Sequence, residues 1–218
     1  MGGLRVAGVW MVLFGLLSLV GLAIHPAGEE ALQRAQTMQV IRASTAAWRV
    51  SHFLFGLGFL FGSMAGLVVL TNRSRLADAP SGIAGWSMVA IANIPVSLGG
   101  LLEATVIADV ALANDPQAFD VWYGGFLGTT TALLAVSLVG IFLIAVYEIR
   151  AASPLLPRWA SAVAGVGALA SIGIVPGFLL VMPALNALYL AIFAPIIWLT
   201  ALGIQLIRRA PAGKAVAQ

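Results

Sequence analysis

The residues of this sequence that could do chemistry are few, and the two histidines come first. His25 and His52 are the only imidazoles in 218 residues. One follows a long apolar run and the other opens the next, so both belong at the same end of two neighbouring helices. Two neutral imidazoles can ligate a haem iron from both faces, or share a divalent metal. Haem b is the cofactor this pair would take, held by His25 and His52. Arg49, three residues before His52 on the same helical face, would then partner a propionate or another carboxylate. The metal version of the constellation is His25, His52 and Glu103, with Asp109 as a further oxygen donor at that end. The plainer reading is that histidines at helix ends act as interfacial or capping groups.

A second group lies inside an apolar stretch. Asn93, Ser97, Gly100 and Glu103 fall within an arc of roughly 120° at 100° per residue. Pro95 among them frees a backbone carbonyl. A carboxylate within a membrane span is costly and usually faces the protein interior or a water-filled cavity. Asn93, Ser97 and Glu103 therefore form a candidate transport face, with Glu103 the best single candidate for a functional acid. The third group carries no reactive atoms. Gly58, Gly62 and Gly66 recur every four residues, a spacing that lets another helix pack closely. Thr129, Thr130, Thr131 and Ser137 read as hydroxyls that bond their own helix or a neighbour. Pro176, Gly177 and Pro195 are candidate kinks. No phosphate-binding loop, catalytic Ser-His-Asp order or zinc-binding helix is present. The sequence points away from an enzyme.

The elements that must position these residues follow from composition. The chain is 61% hydrophobic and 9% charged, against about 25% charged in a soluble domain. Such a chain cannot cover a water-facing surface. Its partners are membrane lipids and other membrane subunits. The scattered basic residues, with no interleaved aromatic patch, argue against nucleic acid. The absence of Cys excludes disulfides and thiolate chemistry. About 20 apolar residues cross a bilayer, and six runs qualify. They are Leu4–Ile24, Trp48–Leu70, Ile83 to about Val106 and perhaps Leu112, about Trp122–Val146, Trp159 to about Met182, and Ala184–Ile207. The first is read as a retained span rather than a cleaved signal. Pro183 marks a tight turn between the last two. Unpaired backbone is not tolerated in lipid, so the runs should be helices. The expectation is an all-α, polytopic membrane bundle: residues 1–209 as one domain and 210–218 as a frayed cytoplasmic tail.

The connections set the orientation. Arg5, Arg73, Arg75, Arg150, Arg158, Arg208, Arg209 and Lys214 share one side of a six-span chain, eight basic residues against three, Arg34, Arg42 and Arg49, on the other. By the positive-inside rule both termini are cytoplasmic, in a multi-pass protein of the cell membrane. Trp48, Trp122 and Trp159 stand at span ends, where an aromatic belt is expected. The first connection, His25–Ala47, is the longest. Pro26 and Gly28 break the first helix, and Glu29 and Glu30 suit the start of another. Glu30 can pair with Arg34. Leu32, Ala35, Met38 and Ile41 give it an apolar face, so an amphipathic segment should lie on the membrane or run on into the second span.

The stretch Tyr147 to Trp159, with Ser153, Pro154, Leu156, Pro157, Arg158 and Trp159 before a glycine-rich span, resembles the fourth connection of a family of bacterial inner-membrane proteins, the domain-of-unknown-function type 4386. The resemblance covers the last third of the chain. It implies six spans with an inner Pro-Arg-Trp turn and implies no activity. Three functions remain open. The near-absence of soluble domains and of intramembrane charge favours first a non-catalytic accessory or structural subunit of a larger membrane assembly. A small cytochrome-like or metal-binding electron-transfer protein would use His25 and His52. A transporter of a small solute or ion would use the third span.

Overall fold

A computed structural model describes residues 2–26, 34–72, 75–173, 188 and 190–209. The described residues form helices and no strand. Helix α1 is Gly3–Ile24, ended by the extended residue His25 before Pro26, as expected of a residue preceding proline. The short α2, Arg34–Ala43, is separated from α3, Thr45–Thr71, by Ser44, whose φ of −131° is not helical. A turn at Arg75–Ala77 leads into α4, Pro80–Leu102, with proline at its first position, where its missing N–H costs nothing. A π-helical turn, Glu103–Ile107, joins α4 to α5, Ala108–Ala113. Asn114 closes α5 in the left-handed conformation (φ 55°), which asparagine tolerates. Asp115 caps α6, Pro116–Arg150, by accepting a 3.0 Å bond from the Ala118 N–H. The chain then turns through 151–157 into α7, Arg158–Ile172, and α8 is Phe193–Arg209.

The long helices pack in a ring, each against its neighbour in sequence: α1 on α3, α3 on α4, α4 on α6, α6 on α7, α7 on α8, and α8 back on α1. Closure at α1–α8 is backbone against backbone. A Cβ on Gly8 would lie 2.6 Å from the Gly203 carbonyl, and one on Gly203 would lie 2.7 Å from that of Gly8. The ring interior is filled by Met11, Phe14, Trp86, Ile144, Trp198 and Leu202 among others. Apolar side chains such as Ile91, Leu98, Val166 and Ile197 point outward. That is the reverse of a soluble protein and suits a surface solvated by lipid.

Among the described residues five segments are long and apolar enough to cross a membrane: Gly3–Ile24, Thr45–Thr71, Pro80–Ala113, Pro116–Arg150 and Leu190–Arg209. The chain is thus an all-α, multi-pass membrane bundle. The fifth expected span is described only as α7. Its remainder, with Pro176, Gly177 and the Pro183 turn, lies outside the described residues. So do Gly28, Glu29, Glu30, Leu32, Arg73 and the tail 210–218. The second, third and fourth spans begin earlier than the apolar runs suggest, because Thr45, Pro80 and Pro116 start helices that apolarity alone does not mark. The 34 residues of Pro80–Ala113 would reach about 51 Å as α-helix, well beyond a hydrocarbon core of about 30 Å.

Candidate functional site

One end of the ring gathers the start of α1, the Arg75 turn, the α6–α7 turn and the end of α8; we call it the terminal end. Arg5 Nε donates to the Ile207 carbonyl (3.2 Å) and Arg75 donates to the Ser153 carbonyl (2.6 Å). The opposite, far end carries His25, Trp48, His52 and Glu103. It also carries Arg34, Arg42 and Arg49, the three basic residues that the sequence places apart from the rest.

At the far end α3 and α4 meet almost without side chains between them. A Cβ on Gly100 would stand 2.7 Å from the His52 carbonyl and 2.8 Å from the Gly56 nitrogen. Ser97 donates to the Gly56 carbonyl at 2.6 Å. This close approach sets His52 of α3 opposite Glu103, the first residue of the π turn. Their side chains meet at 2.9 Å, Nε2 to Oε2, with only 8% and 13% of each side chain exposed. Nδ1 of His52 lies 2.9 Å from the Trp48 carbonyl. Ser51 Oγ lies 3.3 Å from the same nitrogen, so Nδ1 can donate to the carbonyl or accept from the hydroxyl. Nε2 faces a carboxylate oxygen, and two lone pairs do not approach to 2.9 Å, so one proton lies between the two side chains.

The surroundings hold this geometry. Trp48 stacks on His52, with ring centroids 4.1 Å apart, and its indole N–H donates to the Glu103 backbone carbonyl at 2.9 Å. The expected aromatic belt is thus corrected at Trp48. This residue is fully buried and braces the pair, whereas Trp122 and Trp159 are exposed. Its position at a span end is the same in sequence as theirs, and only the tertiary fold turns it inward. His25 reaches the same place from the end of α1. Its ring lies 5.0 Å from that of His52, 5.8 Å from Trp48 and 6.0 Å from Phe55.

His25, His52 and Glu103 are therefore brought together. Arg49 and Asp109 are not part of the cluster; they pair with each other at 2.5 Å on the surface beside it. Arg34 pairs with Asp120 of α6 at 3.6 Å, and Arg42 donates to Asn114 at 2.6 Å. These three arginines tie α2 and the start of α3 across to the α5–α6 corner. Met38 and Ile41 of α2 pack on Trp48, Ile107, Phe119 and Tyr123. The amphipathic segment thus covers the far end of the bundle beside the pair.

The remaining expected residues lie where α3 meets α1 and α4. Gly58 faces Ser18 and Phe14 of α1, Gly62 faces Asn93 and Phe14, and Gly66 faces Ala90 and the Trp86 carbonyl of α4. Asn93 and Ser97 are both buried. Among the described residues no three His, Asp or Glu side chains are grouped to hold a metal ion. The two imidazoles pack against each other, with Trp48 and Phe55 around them, so no porphyrin-shaped gap lies between the rings.

Sequence reasoning missed a second buried carboxylate. Glu148, 1% exposed at the terminal end, accepts from the Leu155 N–H at 2.8 Å. Beside it the Tyr147 hydroxyl donates to the Arg75 carbonyl and lies 2.8 Å from Asp78 Oδ1. Nothing in the spacing marks Glu148, which reads as the polar end of a helix. The turn 151–157 buries it by folding back.

Fold and site together define a polytopic α-helical membrane bundle with a proton-sharing acid–base pair near one face. No family model matches the chain, and no curated protein or solved structure is significantly similar to it.

Proposed function

We propose that the chain is a proton-coupled membrane transport protein in which Glu103 and His52 hold and pass the proton. The observation that supports this reading most is the buried 2.9 Å Nε2–Oε2 contact between a histidine and a carboxylate on different spans. Ionisable pairs inside membrane bundles commonly serve as proton relays. In this reading His25, partly exposed and in contact with His52, exchanges the proton with water at the far end. The proton moves on when Glu103 turns away from His52, and the α4 face with Ser97 and Asn93 lines the way. The π turn at Glu103 supplies the local freedom, since such turns recur at functional sites. The terminal end is cytoplasmic in this proposal, as the eight-to-three distribution of basic residues favours. The kinship that Tyr147–Trp159 suggests belongs to the same reading.

Proton flux into proteoliposomes under an imposed potential, followed by an internal pH dye, tests it. The wild type should acidify the lumen and Glu103→Gln should not, with both eluting as the same folded particle. A silent wild type sinks the proposal.

One observation favours a second reading, the non-catalytic accessory subunit. Several buried polar groups are committed to neighbouring helices: Ser63 to the Ala90 carbonyl, Ser97 to that of Gly56, and Trp198 to Ser161. Such bonds serve packing rather than passage. This reading expects a stoichiometric membrane partner to be retained after mild solubilisation, and a chain that purifies alone speaks against it.

A further inference from the structure

The seam between α3 and its neighbours holds polar atoms that the protein itself leaves unpartnered. Asn93 Oδ1 and Ser18 Oγ have no hydrogen-bond partner, and each residue is only 1% exposed. Ser18 Oγ is aimed at Gly58 of α3, whereas Asn93 turns its amide nitrogen, Nδ2, toward Gly62 and its unpartnered Oδ1 to the other side of the amide. A Cβ on Gly62 would meet the Asn93 amide at 2.7 Å, and one on Gly58 would meet Ser18 Oγ at 3.0 Å. Phe14 of α1 lies against both places, its ring 3.1 Å from the Gly62 position and its carbonyl 3.3 Å from the Gly58 position. The glycines thus do more than let backbones approach. At successive turns they make room for a polar side chain from α1 or α4.

We infer that Ser18 and Asn93 form an internal water-binding site on the α3 glycine ladder, deeper in the bundle than the His52–Glu103 pair. A buried acceptor or hydroxyl without a partner is disfavoured, and ordered water is the usual remedy where a site is polar. The levels descend in order along α3: His52 with Glu103, Gly56 with Ser97, Gly58 with Ser18, Gly62 with Asn93. From His52 to Gly62 the helix rises about 15 Å, roughly half of a 30 Å hydrocarbon core. Below Gly62 Trp86 presents a further unpartnered group, Nε1, at 1% exposure. The ligand is water rather than a bound cation, because Asn93 and Ser18 bring no charge to balance one.

The inference deepens the transport reading, but its test does not require transport. Hydroxyl-radical footprinting by X-ray pulses, with mass spectrometry, labels side chains beside bound water. In nanodiscs Phe14, only 3% exposed, should be labelled. Phe119, 1% exposed in an apolar cluster, should not. Asn93→Leu, or the milder Ser18→Ala, should abolish or reduce labelling at Phe14. An unlabelled wild type overturns the inference, and so does labelling that is unchanged in every variant that folds. If labelling is present and sensitive to the variants while liposomes show no proton flux, the water site stands and the proposed function falls.

Discussion

The His52–Glu103 pair joins two residues that the sequence separates by 51 positions and places on different spans. Its strength rests on mutual dependence. Removing one partner leaves the other buried without a hydrogen bond, at a cost of about 1–3 kcal/mol. His52→Ala should therefore lower the melting temperature in detergent clearly more than His25→Ala, whose ring is only partly covered. Equal losses would mean that the pair contributes no specific bond. Glu103→Gln is the gentle variant, because its amide can still donate to Nε2 or accept from it.

At the scale of elements, α3 and α4 are positioned by absent side chains. Gly100→Ala places a methyl group 2.7 Å from the His52 carbonyl, where backbone must yield. Overpacking of this kind typically costs about 1–3 kcal/mol, and here it would also part Glu103 from His52. Gly125 of α6 makes the matched control, since a Cβ there meets nothing within 4 Å. Gly125→Ala should be neutral or stabilise by about 0.5–1 kcal/mol through helix propensity. Thermal unfolding of the two variants side by side decides this, and similar behaviour would show that the α3–α4 seam has slack. Gly62→Leu, directed at Asn93 and Phe14, should resemble Gly100→Ala. The glycine period in α3 was visible in the sequence. The partner of each glycine was not, because a four-residue repeat says which face is small and not which helix meets it.

For the whole molecule, the ring dictates which connections share a side. Reporter fusions at Asn72 and Ala152 should report one compartment, the cytoplasm by the charge bias, and a fusion at Pro116 the other. A fusion at Pro116 that agrees with Asn72 would break the up-and-down order of α3, α4 and α6. Closure of the ring depends on Gly8 and Gly203, whose backbones touch. Neither stands out in sequence, since glycine is frequent in this chain.

What the sequence determined by itself is the class. A chain with so few charges has no stable state in water, so apolar runs of span length, broken by Pro and Arg, compel a membrane bundle of helices. It also marked His25, His52 and Glu103 as belonging to one end, because alternating spans leave them no choice of side. Tertiary structure decided the rest. Periodicity fixes which residues share a helix face, but contact between helices depends on side-chain volume and backbone approach at each crossing. That is why Arg49 left the cluster for Asp109, why Trp48 turned from the lipid boundary to brace His52, and why Glu148 became buried. It is also why the two imidazoles that suggested a haem lie against each other, with one of them closed onto a carboxylate.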